Sequence, residues 1–426
     1  MALPASPTVT QSLERLRAPG LASPKARLAG KRAAMVCFSA YPADPRPRRA
    51  AEALVSEGMT VDYVCLADGK NPARETSNGV TVFRLPIEHR RGGKLTYFSQ
   101  YLSFIAASSA ILARRALADR YDLAFINNMP DVLVASALAP KLLGAKVILD
   151  LHDPMPELIN TIFALEETSF TVKAIKWLEK WSMARADLVL TVNAACERIF
   201  ASRSCAREKV RVVMNTPDEK IFPFRSPALT QNRSSRPFVI MYHGTLIERN
   251  GLDLAVDALD CIRHQIPKVE LKICGKATPY FERVMNRVKE KGLQDSIRYL
   301  GAKRLEELVD EIDGCDVGVI PNHRSAFADI NTPTRLFEYL TRGKPVIAPR
   351  TAGIQDYFDP QSLFFFEAGD SEDLAKQLRL VYSNPLLATT VTRRGQEVYL
   401  AHRWTEERET LINLVEGLIA PAKARF

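Results

Sequence analysis

Two successive series of short apolar runs, each run followed by a helical pattern, dominate this sequence. The first series begins at 34–39 and ends at 187–192, and the second begins at 238–242 and ends at 363–366. Apolar runs that alternate with helical segments are typical of βα units and of mostly parallel sheets. A polar, proline-bearing stretch at 223–237 separates the two series. The pattern therefore predicts an α/β fold of two doubly wound, Rossmann-like domains that face each other across a cleft.

The composition is that of a soluble globular protein, but its basic excess is uneven. Hydrophobic residues make up 46% of the 426 residues and charged residues 25%, which is ordinary for a folded chain. About half of the net charge of +9 comes from the first 32 residues, which hold six Lys or Arg and one Glu. Because segment 1–30 lacks the hydrophobic core of a secretory signal, we expect a disordered basic tail, with a transit peptide as the alternative. The remaining mild excess suits phosphate-bearing ligands or an anionic membrane surface better than nucleic acid.

Several common chemical motifs are absent from the sequence. No G-x-G-x-x-G follows the first apolar run, and the chain contains no Walker loop, no G-x-S-x-G and no D-x-D. Dinucleotide binding at the first run and P-loop chemistry are therefore not expected. The seven cysteines form no C-x-x-C pair, which favours a reducing, cytoplasmic compartment and small buried thiols. We expect neither a metal site nor a required cofactor.

The segment 332–347 (TPTRLFEYLTRGKPVI) carries the strongest local signal. Thr332 suits a helix N-cap and Pro333 a first helical position, while Gly343 suits a left-handed helix end before a buried strand. A strand, a loop and a capped helix in succession place backbone N–H groups where an anion binds. Glu338 lies inside this helix between two aromatic residues, where a purely structural helix needs no charge. Its expected role is to bind ribose hydroxyls, and a structural ion pair is the alternative.

In the order and spacing of its motifs, the chain resembles the retaining glycosyltransferases of the GT-B fold, in their large sucrose-synthase-like family, the glycosyl transferases group 1. The resemblance rests on 332–347, on DLHD at 150–153, on the segment 177–193, and on YHGTL and RNG within 242–251. It implies an acceptor-side domain at 31–222, a linker at 223–237 and a nucleotide-sugar donor domain at 238–403. It also implies a C-terminal helix at 404–426 that crosses back to the first domain.

The resemblance implies roles for three candidate catalytic residues. His152 matches a histidine that lies close to the reaction centre, and Glu338 matches the second glutamate of a pair, whose carboxylate binds the ribose. The first glutamate of that pair falls on Ile330, which is a departure from the family pattern. We expect the flanking Asp329, or Asn331, to contact the sugar in its place.

Without a metal, the leaving diphosphate needs cations and helix N-termini. In the first donor loop, which begins at Gly244, the family's usual arginine and lysine positions hold Thr245 and Asn250. Arg249 is expected to replace them, with Arg335 as a second cation; a solvated loop position is the alternative for Arg249. The predicted donor-binding set is completed by Lys276, Asn331 and Thr332.

The function implied by the resemblance is retaining transfer of a sugar from a nucleotide diphosphate sugar, with UDP- or GDP-sugars as expected donors. The acceptor is then a glycan, a glycolipid or another lipid-linked precursor, and no nucleic acid partner is expected. Two alternatives stay open. One is a non-hydrolysing nucleotide-sugar epimerase of the same fold. The other is a non-catalytic GT-B subunit, which the departure at Ile330 makes reasonable.

An uncharged stretch at 95–113 bears on localisation. It is bounded by basic residues but contains six serine, threonine or glutamine residues, which are too many polar groups for a membrane span. The spacing of its apolar residues favours a helix packed on the first sheet. The alternative is a helix whose basic ends and aromatic residues (Tyr97, Tyr101 and Phe104) contact anionic lipid. We expect a cytoplasmic protein, with peripheral association at the inner face of the plasma membrane as a further hypothesis.

Overall fold

The computed structural model of the protein describes residues 26–87, 94–228 and 236–420. Contacts between residues define two compact units. Of the described residues, the first combines those up to Phe125 with Ser136–Lys146 and those from Ile412 onward, and the second combines Ile126–Ala135 with those between Val147 and Leu411. Each unit is therefore assembled from segments that are distant in the sequence.

Eight strands form the first sheet, in the order β3-β4-β2-β1-β5-β6-β7-β8. β2 pairs in parallel with both β1 and β4, and β7 pairs in parallel with both β6 and β8. β5 and β7 are buried at every position, as expected for parallel strands covered on both faces. The strands are β1 (Arg32–Ala40), β2 (Thr60–Leu66), β3 (Arg74–Ser77), β4 (Val80–Leu85), β5 (Leu123–Asn127), β6 (Lys146–Leu151), β7 (Leu188–Thr191) and β8 (Val210–Val212).

Two of the helices between these strands begin at residues whose side chains satisfy backbone N–H groups of the first turn. Ser169 accepts a hydrogen bond from the backbone N–H of Val172, and Asn193 accepts one from that of Cys196, so both are N-caps. The helices are α1 (Pro45–Ser56), α2 (Lys94–Ala118), α3 (Leu138–Leu142), α4 (Met155–Phe163), α5 (Phe170–Arg185) and α6 (Ala194–Arg203).

Six parallel strands form the second sheet, in the order β11-β10-β9-β12-β13-β14. All six residues of the central strand β9 are buried, and a large apolar core surrounds it. The strands are β9 (Phe238–His243), β10 (Val269–Cys274), β11 (Ile297–Gly301), β12 (Val317–Val319), β13 (Val346–Pro349) and β14 (Phe364–Phe366).

Nine helices follow in the described part of the chain from residue 236 onward. They are α7 (Leu252–Ile262), α8 (Pro279–Glu290), α9 (Leu305–Asp313), α10 (Ala326–Ile330), α11 (Thr334–Thr341), α12 (Ala352–Gln355), α13 (Ser371–Ser383), α14 (Pro385–Ala401) and α15 (Trp404–Ile419). A short 3-10 turn at Glu248–Asn250 precedes α7. The second sheet is parallel throughout, and the first is parallel except for the edge strand β3, which is antiparallel to β4. The two sheets confirm the predicted α/β fold of two Rossmann-like domains.

The start of α11 differs from the sequence prediction. The helix begins at Thr334 and Pro333 occupies the cap position, without a side-chain capping bond. Thr332 is not the cap, because its hydroxyl donates to the carbonyl of Gly353 at 2.7 Å. The predicted helix end is confirmed, since Gly343 adopts a φ of +69° after the last helical residue.

The environment of α2 contradicts part of the lipid-contact hypothesis. Phe104 is fully buried, and the ring of Tyr101 packs against Phe38 with centroids 4.8 Å apart; the side chain of Tyr97 lies outside the described part of the structure. Ser108 donates to the carbonyl of Phe104 at 2.6 Å, so this polar residue is satisfied within the helix. None of the described helices is long and apolar enough to cross a membrane.

Candidate active site

The candidate donor site lies at the carboxyl ends of β9 and β12. These strands are neighbours in the second sheet, while β10 follows β9 on its other side. The strand order therefore reverses beside β9, and a crevice opens at such a point in an open α/β sheet. The crevice is a cavity of about 640 Å³, and its lining includes Gly244, Thr245, Asn250, Cys274, Lys276, Lys303, Asn322, Asn331, Thr334, Arg335 and Glu338.

Close backbone approaches shape the loop that follows β9. Gly251 has a φ of +65°, and a Cβ atom at this position would lie 1.8 Å from the carbonyl oxygen of Pro321. Gly244 has a φ of +130°, and a Cβ atom there would lie 3.2 Å from Nη1 of Arg335. Only glycine fits at Gly251, so the 244–251 loop is held tightly against the loop after β12.

Glu338 enters the cavity from α11 and is held by a histidine. Its Oε2 lies 2.5 Å from Nε2 of His243, the last residue of β9, and Nδ1 of His243 lies 2.8 Å from the hydroxyl of Tyr339. Sequence reasoning did not single out His243. The available signal was its position as a polar residue at the end of a buried strand, directly before Gly244.

Two of the predicted cations line the same cavity. Nη1 of Arg335 donates to the carbonyl of His243 at 3.0 Å, and Nη2 donates to Asn322. The guanidinium also lies 5.2 Å from the ring centroid of Tyr242. Lys276 follows β10, is exposed, and lines the cavity. Arg335 is thus fixed by the protein, while Lys276 extends towards solvent.

Arg249 lies in the 3-10 turn after β9, beside the cavity-lining Asn250. Its guanidinium lies 5.5 Å from the ring centroid of Phe327. Burial lowers its pKa, and the negative charge of Asp153 acts in the opposite direction. Among the described residues, none forms a hydrogen bond or ion pair with this guanidinium. A partly buried arginine of this kind is suited to an anionic ligand.

The residues around the missing first glutamate divide into two groups. Asn331 lines the cavity, whereas Asp329, in α10, is not among the described residues that line it. The carbonyl of Ile330 accepts a hydrogen bond from the side chain of Asn193 at 2.8 Å, and Thr332 accepts one from the same amide at 3.2 Å. Asn331 is therefore better placed than Asp329 to face a ligand in this cavity.

His152 follows β6 in the same compact unit as Glu338. Its Nε2 lies 3.2 Å from Oδ2 of the buried Asp150. Its side chain is 17% exposed. Helix α4, which begins three residues later, packs against α10, where the backbone N–H of Phe327 donates to Thr161 at 3.3 Å. The segment with His152 is thus connected by packing to the helix that carries Asp329.

Buried acidic residues support this part of the site. Burial raises the pKa of Asp131 to about 7, and its carboxylate accepts a hydrogen bond from Asn128 at 3.0 Å. Arg203 forms two bonds to Glu157, at 2.5 and 3.0 Å, and also binds the buried Glu179. This bidentate pair gives Glu157 a structural role. Among the described residues, no group of three or more His, Cys, Asp or Glu side chains is arranged to hold a metal ion.

Family comparisons agree with this architecture. Residues 43–216 match the model of the glycosyl transferase 4-like domain. Residues 230–398 match the model of the glycosyl transferases group 1. The chain belongs to the group 1 glycosyltransferases of the GT-B fold.

Individual relatives of this group 1 glycosyltransferase are distant. It is 25% identical over 195 residues to the amylovoran biosynthesis glycosyltransferase AmsK of Erwinia amylovora, a match that covers 45% of this chain and 46% of AmsK. The match thus spans less than half of that relative's length. It is 20% identical over 306 residues to the probable glycosyltransferase WbjE of Pseudomonas aeruginosa, covering 70% of this chain and 74% of WbjE.

Solved structures show the same fold as this group 1 glycosyltransferase. Sucrose-phosphate synthase from Thermosynechococcus elongatus superposes with a TM-score of 0.74 at 20% identity, covering 92% of this chain and 99% of that one. HepE from Anabaena, solved with UDP-glucose, superposes with a TM-score of 0.66 at 15% identity, covering 91% of this chain and 100% of that one.

Proposed function

We propose that this glycosyltransferase is a retaining enzyme that moves a hexosyl group from a UDP-sugar to a glycan or lipid-linked acceptor. The observation that carries the proposal is the cavity at the ends of β9 and β12, which Glu338, Arg335 and Lys276 line together. A carboxylate suits ribose hydroxyls, and cations suit a diphosphate. HepE, which shares the fold, was solved with UDP-glucose, and this favours UDP over GDP as the donor nucleotide.

The leaving diphosphate is assigned to Arg249, Arg335 and Lys276. Arg249 lies beside this cavity, and its partly buried guanidinium has neither a hydrogen bond nor an ion pair among the described residues. A bound diphosphate would supply a negatively charged partner for this guanidinium. The N-terminus of the eight-residue helix α11, where Thr334 lines the cavity, adds backbone N–H groups for the same negative charge.

Retention follows if the acceptor hydroxyl attacks on the face from which the diphosphate departs. The bond from the anomeric carbon to the phosphate oxygen breaks, the bond to the acceptor oxygen forms, and the departing phosphate oxygen takes the acceptor proton. This route requires no protein nucleophile. His152 is assigned to a hydroxyl of the transferring sugar, and Asn331 or Asp329 to the sugar contact that the family's first glutamate would make.

The acceptor side is proposed to work at an anionic membrane surface. Exposed residues alternate along α5 as aromatic and basic side chains: Phe170 is 87% exposed and Trp177 62% exposed, with the exposed Lys173 and Lys180 at intervening turns. We call Phe170, Lys173, Trp177 and Lys180 the α5 face. Aromatic rings and lysines on one helix face suit the boundary between lipid head groups and acyl chains. The α5 face replaces α2 as the proposed lipid contact.

Incubation with radiolabelled UDP-sugars and candidate acceptors, without added metal and with a chelator present, tests the proposal. Transfer with the anomeric configuration kept, read by NMR of the product, is the expected outcome. Inversion would refute the retaining mechanism. Conversion of the nucleotide sugar without transfer would identify an epimerase instead, and UDP binding without either reaction would identify a non-catalytic subunit. A strict need for Mg²⁺ would contradict the assignment of Arg249, Arg335 and Lys276.

A further inference from the structure

Both ring nitrogens of His243 contact protein groups at the end of β9. Nδ1 lies 2.8 Å from the hydroxyl of Tyr339, and Nε2 lies 2.5 Å from Oε2 of Glu338. His243 is only 4% exposed, so solvent offers little replacement for either contact. The protonation of the imidazole must therefore match these two neighbours.

The hydroxyl of Tyr339 determines the state of Nδ1. It donates its proton to the carbonyl of Met241 at 2.8 Å, so it can only accept from His243, and Nδ1 carries a proton. Nε2 faces a carboxylate oxygen at 2.5 Å, and two bare acceptors would repel each other at that distance. A second proton therefore lies between Nε2 and Glu338.

Tyr339 cannot rotate away from this arrangement. A Cβ atom at Gly318 would lie 2.4 Å from the Tyr339 ring, so the ring rests directly on the backbone of β12. The ring of His243 meets that of Tyr339 edge-on, with centroids 4.7 Å apart. The imidazole is held by packing as well as by hydrogen bonds, and its Nε2 has a fixed direction.

We propose that His243, with a proton on each ring nitrogen, positions Glu338 for recognition of a nucleotide ribose. Its Nε2–H donates to Oε2 and fixes the orientation of the carboxylate. Oε1 accepts no hydrogen bond from the described residues and is left for the ribose hydroxyls. The role rests on the proposed function, since it requires a nucleotide in the cavity. His243 contacts the carboxylate rather than the substrate, so it is a positioning residue.

Titration calorimetry with UDP and 2′-deoxy-UDP tests this role. The wild-type protein should prefer UDP by roughly 10- to 100-fold, the value of a charge-assisted hydrogen bond. In His243→Phe, the preference should fall to about threefold or less, because 2′-deoxy-UDP, which keeps only the 3′-hydroxyl, is weakened less than UDP. His243→Gln, whose amide can still donate to the carboxylate, should restore part of the preference. Equal weakening of both nucleotides would show that His243 is only structural.

Two controls separate the contacts of the imidazole. Tyr339→Phe removes the Nδ1 partner but leaves Nε2–H available to Glu338, so it should keep the preference for UDP. His264→Phe, at an exposed histidine, should leave both affinities unchanged. An unchanged preference in folded His243→Phe overturns the proposal, whereas failure of the wild-type protein to bind UDP refutes the proposed function instead.

Nuclear magnetic resonance tests the proposed protonation of His243 in the wild-type protein, so this test needs no folded variant. The long-range ¹H–¹⁵N spectrum of the UDP-bound wild-type protein should show both ring nitrogens of His243 in the protonated range. One unprotonated ring nitrogen would contradict the proposed state directly.

Discussion

Oδ1 of Asn128 accepts a hydrogen bond from the backbone N–H of His152 at 2.8 Å. The same amide uses Nδ2 to bind the carbonyl of Asp153 at 2.9 Å and the carboxylate of Asp131 at 3.0 Å. Asn128 is 4% exposed and directly follows β5. The buried side chain of Asn128 thus fixes the backbone conformation of the loop that carries His152.

The first prediction concerns catalysis by His152. If it contacts the transferring sugar, His152→Ala should lower kcat by roughly 100-fold or more while the Kd for UDP changes less than about threefold. Steady-state kinetics and calorimetry measure the two quantities. Asn128→Leu should also lower kcat, because Asn128 holds the loop that carries His152 rather than contacting the substrate. Wild-type turnover with a lower melting temperature in His152→Ala would assign His152 to the fold alone.

A second prediction follows from the raised pKa of Asp131. Burial holds this pKa at about 7 in the folded protein, against an ordinary value of 3.8 for an aspartate. Between these values the folded state binds a proton that the unfolded state releases, so stability falls as the pH rises from 4 to 7. When the pH rises from 5 to 8, the free energy of unfolding should therefore fall by roughly 2–3 kcal/mol less in Asp131→Asn than in the wild type.

Urea unfolding at pH 5 and pH 8 measures this difference. Asparagine can still accept the bond from Asn128, so the variant keeps the local geometry. Asp295→Asn, at an exposed carboxylate, is the control and should behave as the wild type. Parallel stability curves for the wild type and Asp131→Asn would mean that Asp131 is ionised without penalty in the folded state.

The third prediction separates the ribose from the phosphates. Glu338→Ala should weaken UDP by about 30- to 150-fold, because a charge-assisted bond to the ribose contributes roughly 2–3 kcal/mol. Uridine should be weakened by a similar factor, since it carries the same ribose. Calorimetry with both ligands checks this. Unchanged UDP affinity in a folded variant would place Glu338 in a purely structural pair with His243.

The fourth prediction is that Arg249 contributes to binding of the diphosphate and not of the ribose. Arg249→Ala should weaken UDP by roughly 10- to 100-fold, because it removes a cation from the diphosphate, and should leave uridine unaffected. Arg298→Ala removes an exposed arginine on β11 and serves as the matched control. Equal loss of UDP and uridine affinity in Arg249→Ala would indicate a disturbed loop rather than a lost phosphate contact.

The membrane prediction concerns the α5 face. Sedimentation with anionic phosphatidylglycerol vesicles should bring down part of the protein at low salt and release it at high salt. Replacing Phe170 and Trp177 with serine should abolish binding, whereas the same change at the exposed Leu386 and Leu387 should not. Binding that persists at high salt would indicate hydrophobic insertion. Sedimentation equilibrium that shows a dimer dependent on Phe170 and Trp177 would assign the face to a second copy of the chain.

The sequence predicted the sheets well because buried parallel strands are continuous apolar runs. β1 and β9 cover the apolar runs at 34–39 and 238–242, and Cys37 and Cys315 are buried as small apolar residues. The short strand β3 (RETS) was missed, since an edge strand exposed to solvent has no apolar pattern to mark it. Local periodicity thus identifies strands that are buried on both faces but does not identify exposed edge strands.

The sequence suggested positions for the candidate site but not the contacts between its side chains. Glu338 and Arg335 line one cavity, whereas Asp329 is not among the described residues that line it. The bond from His243 to Glu338 spans 95 residues, and no local pattern records such a pairing. Thr332 was misassigned for the same reason, because its partner Gly353 lies in α12, a separate element. Side-chain partners from separate strands become visible only when the sheet is assembled.

The fit of Gly251 against Pro321 has a consequence for protein engineering. The backbone N–H of His323 also donates to the carbonyl of Arg249 at 3.1 Å, so the loops at 244–251 and 320–323 form one mechanical part. Grafting the first loop alone from another glycosyltransferase should therefore lose this fit between the two loops. A chimaera that exchanges only one of the two loops should displace the backbone of Arg249. Exchanging both loops together should keep the contact between them and therefore the backbone position of Arg249.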